Sequence, residues 1–137
     1  MSEGTEVQPS DQVINQRIRN RIIEYLELAS SFEDQRLYQY KAPVHVPNEI
    51  ITQWEDWVPD LPRAHFSEPV FSREEQDAIA AYHQVWTEVC EAIPMRLPSL
   101  EVLFDTAEWR RLRDAAISAS AVFAVRGRLP EDEEFAF

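Results

Sequence analysis

Apolar side chains recur along this chain at steps of three and four, the spacing of one helical face. The clearest case is residues 72–93, where Ile79, Tyr82, Trp86, Val89 and Ile93 fall on one stripe and Ala78, Ala81, Val85 and Cys90 widen it. Ser72 followed by Glu75 reads as a capping box, in which a hydroxyl and a carboxylate each satisfy a backbone group of the first turn. Glu74, Glu75 and Asp77 put negative charge at the positive end of the helix dipole, and Pro94 ends the run. A stripe this wide requires partners on more than one side, so residues 72–93 are predicted to be the central helix of a bundle.

Three further stretches carry the same period. In residues 10–34, Ile14, Ile18, Ile22, Tyr25, Ala29 and Phe32 form a face, with Ser10 or Asp11 as cap and Arg17, Arg19 and Arg21 expected in solvent. A shorter helix is predicted over residues 47–57, with Pro47 in its first turn, Asn48 as cap, and Ile50, Ile51, Trp54 and Trp57 on its face. The last long helix opens on a second capping box, Asp105 with Glu108. Its face is Trp109, Leu112, Ala116, Ala119 and Phe123, and Gly127 is placed for a left-handed cap before Pro130. Ser99 starts a short helical turn over residues 100–104.

The segments between are less regular. In residues 37–46, Tyr38, Tyr40, Val44 and Val46 alternate loosely, but Pro43 and Pro47 oppose a central strand, so an extended connection is expected. Residues 59–71 form a long loop with Pro59, Pro62 and Pro69, expected to pack through Leu61, Phe66, Val70 and Phe71. The layout is all-α: one domain over residues 10–129, a bundle of four main helices and one short one, with a long Pro-rich loop. Residues 1–9 are expected to be disordered and residues 130–137 to form a mobile acidic tail.

Composition sharpens this picture. The 137 residues are 45% hydrophobic, enough for an ordinary single core. No apolar run is long enough to span a bilayer, and the polar start lacks the basic and apolar regions of a signal peptide, so a cytoplasmic protein is expected. The single Cys90 forms no disulfide framework and reads as a small buried hydrophobe. Charge is the strongest signal: 25 acidic against 13 basic residues, net -12. Residues 47–93 hold ten of the acids and only two bases, Arg63 and Arg73. A field of that sign repels nucleic acid and anionic membranes and speeds encounter with a basic protein. Plain acidity, common in bacterial cytosolic proteins, is the bland alternative.

Catalytic and cofactor chemistry finds little support. Gly4 and Gly127 are the only glycines, so no phosphate-cradling loop exists. His45, His65 and His83 stand apart with no metal-ligand spacing, and the carboxylate pairs Glu24/Glu27 and Glu88/Glu91 lack the Glu-x-x-His partners of a bundle di-iron site. No metal or cofactor is expected. Cys90 lies between acids, the wrong setting for a nucleophile. His83 beside the central stripe is a candidate general base, though a half-buried satisfied histidine is the simpler reading. Arg110, Arg111 and Arg113 cluster, but Asp105, Glu108 and Asp114 dilute them.

One local feature stands out: Trp54, Glu55, Asp56, Trp57 and Asp60, at the end of a short helix. Two tryptophans three apart share a helical face, and either they belong to the core or they anchor a partner whose basic groups meet the surrounding acids. Glu68, Glu74, Glu75 and Asp77 are candidates to extend that rim. The expected function is therefore a small acidic binding protein, an immunity or antitoxin-type inhibitor that occludes the substrate site of a basic, nuclease-like toxin. A helical adaptor or regulatory subunit with a non-nuclease partner is the alternative, and an enzyme using His83 a third.

Overall fold

The computed structural model describes residues 8–58 and 66–137. In chain order these residues form α1 (Asp11–Ala29), α2 (Phe32–Lys41), α3 (Val46–Trp57), α4 (Arg73–Ala92), α5 (Leu100–Leu103) and α6 (Ala107–Ala124). No strand occurs among the described residues, and no helix is long and apolar enough to cross a membrane. The expectations for residues 1–7 and 59–65 lie outside the described part.

Helix α4 starts as its sequence dictates. The Ser72 hydroxyl accepts from the Glu75 backbone N–H, and the Glu75 carboxylate accepts from the Ser72 N–H at 2.9 Å. It packs mainly on α6, which packs in turn on α1, and α1 meets α3. The core they enclose is aromatic at its centre. Trp54 of α3 lies 5.3 Å from Tyr25 of α1 and 4.6 Å from Tyr82 of α4, ring centre to ring centre. The Tyr25 hydroxyl donates to the Ile50 carbonyl at 2.7 Å, leaving the Tyr82 hydroxyl to donate to Tyr25 at 2.9 Å. Both phenols are thus satisfied inside the core, and burial raises both pKa values, so the rings stay neutral.

Several boundaries differ from the sequence expectation, each for a visible reason. The first helix ends at Ala29, and a second, α2, takes up much of the expected extended connection, so the described residues form five longer helices rather than four. Ser31 caps α2 by accepting from the Asp34 N–H at 3.0 Å. The buried Gln35 side chain donates to the carbonyls of Leu28 and Ala29, closing the end of α1, and accepts from the Trp109 indole at 3.0 Å. One glutamine therefore terminates α1, seats α2 and anchors α6. Tyr38 and Tyr40 do not alternate as strand residues: in the helix Tyr38 is half-buried while Tyr40 is 89% exposed.

Helix α3 begins one residue before Pro47, with His45 rather than Asn48 at the cap. At α6 the cap is Thr106, whose hydroxyl accepts from Trp109 N–H, not Asp105, which is exposed and faces Arg110. Gly127 takes the positive φ of 74° that its place after α6 requires. Trp109 is buried as expected, whereas Trp86 is only partly covered, its indole donating to the Ile51 carbonyl at 3.2 Å.

The C-terminal residues, expected to be mobile, lie along α1. Gln12, Gln16 and Asn20 repeat every four residues on one side of that helix. Asn20 exchanges two hydrogen bonds with the backbone of Leu129, as a neighbouring strand would. Gln16 donates to the carbonyls of Pro130 and Glu133 and accepts from the Phe135 N–H. Amide side chains can offer donor and acceptor together, so a polar stripe substitutes for an apolar one in holding the segment.

Candidate functional site

The acidic residues singled out in the sequence fall into separate environments. One of them, Glu75, is structural, and so is Trp54. Glu75 is 2% exposed and accepts from both terminal nitrogens of Arg19, at 2.5 and 2.8 Å, and from Nη2 of Arg126 at 2.7 Å. Arg19, expected in solvent, is fully buried, and also donates to the carbonyls of Val70 and Gly127. Burial pushes the Glu75 carboxyl up, but the hydrogen bonds from Arg19, Arg126 and the Ser72 N–H outweigh it and hold the pKa at about 2. This carboxylate locks α1, α4 and the end of α6 together and is not available to a partner. Trp54 is equally unavailable at 0% exposure, its indole donating to Nδ1 of His83 at 3.0 Å.

Trp57 is different. It is half-buried at the last turn of α3 and, with Asp56, Gln53, Tyr38 and Arg21, lines a groove of ≈ 540 Å³ between α1, α2 and α3. Asp56 is exposed there, whereas Glu55, also exposed, is not part of the groove and sits close enough to Cys90 of α4 to act on its thiol; neither acid forms an ion pair among the described residues. Acids elsewhere are commonly neutralised: Glu24 and Glu27 by Arg128, Glu88 by Arg111, Glu101 by Arg36, and Glu131 by Arg21. Glu74 and Asp77 are also exposed and without an ion pair among the described residues, but they line a separate groove between α4 and α6. Glu68 is exposed just before α4, and Asp60 lies outside the described residues. The structure therefore joins Asp56 to Trp57 and separates both from Glu74 and Asp77.

The residues considered for chemistry are occupied. His83 Nδ1 accepts the Trp54 indole proton, which places the ring's own proton on Nε2, and the ring stacks on Trp86 at 5.5 Å. The Cys90 thiol is half-buried and its pKa is pushed up to about 11, by burial first and then by the charges of Glu55 and Glu91. That environment suppresses the thiolate. Among the described residues no group of three His, Cys, Asp or Glu side chains is placed to hold a metal ion.

No protein-family model matches this chain, and neither a curated protein nor a solved structure matches it.

Proposed function

We propose that this chain is a small acidic binding protein that neutralises a basic protein partner in the cytoplasm, as an immunity-type inhibitor of a nuclease-like toxin. The observation that carries the reading is the end of α3: a half-exposed Trp57 beside Asp56 in the groove, with Glu55 exposed around the same helix end, and neither carboxylate ion-paired among the described residues. An aromatic ring that gives up its remaining contact with water supplies residence time, while uncompensated carboxylates supply steering. Nucleases hold a polyanion and are basic where they do so, and carboxylates standing where phosphates bind would close that site without any chemistry by the inhibitor. The net charge of -12 favours such encounters over the whole surface.

A helical adaptor with a non-nuclease partner is the second reading. It is favoured by the mixed lining of the α1–α2–α3 groove, where Arg21 and Gln53 stand beside Asp56.

The test is capture of the partner from the native host with the wild-type chain and with Glu55→Lys/Asp56→Lys as parallel baits. The inhibitor reading expects a basic protein retained by the wild type alone, whose phosphodiester cleavage is blocked by the wild type and not by the variant. A retained partner with no nuclease activity supports the adaptor. Equal capture by both baits removes this surface from either reading.

A further inference from the structure

From Ala115 to Val125, about three turns of α6, the chain carries no charged side chain, although 28% of its residues are charged. That stretch is not wholly buried. Ala116, Ala119 and Phe123 face the core, but Ile117 is 49% exposed, Val125 is 84% exposed, and Ser118 and Ala121 are exposed between them. A helix face open to water in an acidic protein ordinarily carries charge. Here Ile117, Ala121 and Val125, four apart, make a bare apolar ridge.

Beside the ridge runs a groove between α6 and α4. Its floor is Ala78, Ala81 and Val85 on one side and Ala115 and Val122 on the other, over ≈ 440 Å³. A second hollow of ≈ 470 Å³ continues past Glu74 and Val122 to Val125. Small side chains on both walls let a third helix approach closely. Glu74 and Asp77 stand at one end, exposed and without an ion pair among the described residues, while Glu75 between them is taken by Arg19 and Arg126. At the other end the Arg111–Glu88 ion pair bridges the two helices. The groove is therefore apolar along its length, with the unpaired carboxylates of Glu74 and Asp77 at one mouth and Arg126 there held by Glu75.

We propose that the α4–α6 groove docks an amphipathic helix of a partner protein, with its apolar face against Ala81, Ser118 and Val122 and Lys or Arg at the end that meets Glu74 and Asp77. The charge selects the occupant. A second copy of this chain would bring another net -12 body, with its own Glu74 and Asp77, against the same acids. An extended peptide has no sheet edge to join among the described residues. This surface shares with the proposed function the premise of a basic partner, but not its residues.

A peptide of 18 residues, leucine and lysine in helical amphipathic register, is the probe. Titrated into the isotopically labelled protein, it is expected to shift the amides of Ala78, Ala81 and residues 115–125. The same composition scrambled, and a leucine–glutamate version, are each expected to bind at least tenfold more weakly. Ala81→Trp with Ser118→Trp fills the groove and lowers affinity at least tenfold. Ile117→Lys with Val125→Lys, at exposed positions that leave the fold intact, does the same. Trp57→Ala leaves peptide affinity unchanged, so loss of the α3 surface and loss of this one are read separately. The proposal is overturned if the shifts map to Glu55 and Asp56, if the scrambled peptide binds equally, if the lysine variants retain full affinity, or if sedimentation shows a dimer that Ile117→Lys dissociates.

Discussion

Arg19 and Glu75 meet inside the bundle through two parallel hydrogen bonds, 2.5 and 2.8 Å long, although each comes from a different helix and 56 residues separate them. Arg126 completes the set from beyond the end of α6. Paired and fully hydrogen-bonded charges are tolerated in a core, whereas one left alone is costly. Glu75→Gln is expected to destabilise the protein by about 3–5 kcal/mol, because it strands a buried guanidinium. Arg19→Met with Glu75→Gln together should recover part of that loss. Urea titrations of the three variants check it, and a double variant as unstable as the sum of its singles would contradict the coupling.

The same carboxylate sets the acid limb of stability. Its pKa is about 2 in the fold against an ordinary value of 4.5. A lowered carboxylate pKa stabilises the fold above the unfolded value, and that contribution fades as pH falls from about 4.5 towards 2. At about 1.4 kcal/mol per unit it amounts to about 3 kcal/mol. Unfolding free energies measured from pH 6 down to pH 2 are expected to show this loss, and the Glu75→Gln protein is expected to show a correspondingly shallower fall.

Gln35 gives a separate test of the helical layout. Its amide serves α1 and Trp109 at once. Gln35→Ala takes from the Trp109 indole its acceptor and from the Ala29 carbonyl its side-chain donor, while the Leu28 carbonyl keeps the Ser31 N–H, at a cost of about 1–3 kcal/mol. Gln35→Glu retains an acceptor for the indole but loses the donor to Leu28 and Ala29, and brings a charge into the core, so it should be no better than alanine. Trp109→Ala is expected to cost about 3–5 kcal/mol, and the half-exposed Trp86→Ala clearly less. Equal losses at the two tryptophans in a denaturant titration would contradict the burial described here.

Much of this fold is legible in the sequence, and the exceptions share a cause. The α4 capping box, the α6 face and the Gly127 turn are local: each depends on residues within about a turn of one another, so spacing reveals them. The break after Ala29 has a local sign in the Ser31 cap, but the anchoring of α2 through Gln35 on Trp109, and the burial of Arg19 by Glu75 and Arg126, involve partners that spacing cannot supply. For the same reason Glu75 looked like one acid among many. Its place in the capping box was visible, its ion pairs were not. Trp54 and Trp57 share a helical face in sequence, yet only Trp54 reaches the Tyr25–Tyr82 cluster, because Trp57 falls on the last turn of α3, where the groove opens.

Cys90 offers a chemical check on the acidic surface. With its thiol at about 11, about one part in a thousand is thiolate at pH 8, so alkylation should be far slower than for a free cysteine of ordinary pKa near 8.5. Burial is the larger cause, so Glu55→Gln or Glu91→Gln should raise the alkylation rate only modestly. A Cys90 that reacts at the rate of a free thiol would mean that the α3–α4 contact is more open than described.

The most direct measurement of the central claim is the association rate of the captured basic partner at low and high salt, for the wild type, Glu55→Lys/Asp56→Lys and Trp57→Ala. Steering charges act on encounter and an anchor acts on residence. The charge reversals are expected to slow association and flatten its salt dependence, while Trp57→Ala leaves association nearly unchanged and speeds dissociation. An association rate at low salt that is the same for the wild type and the charge-reversed protein would contradict it.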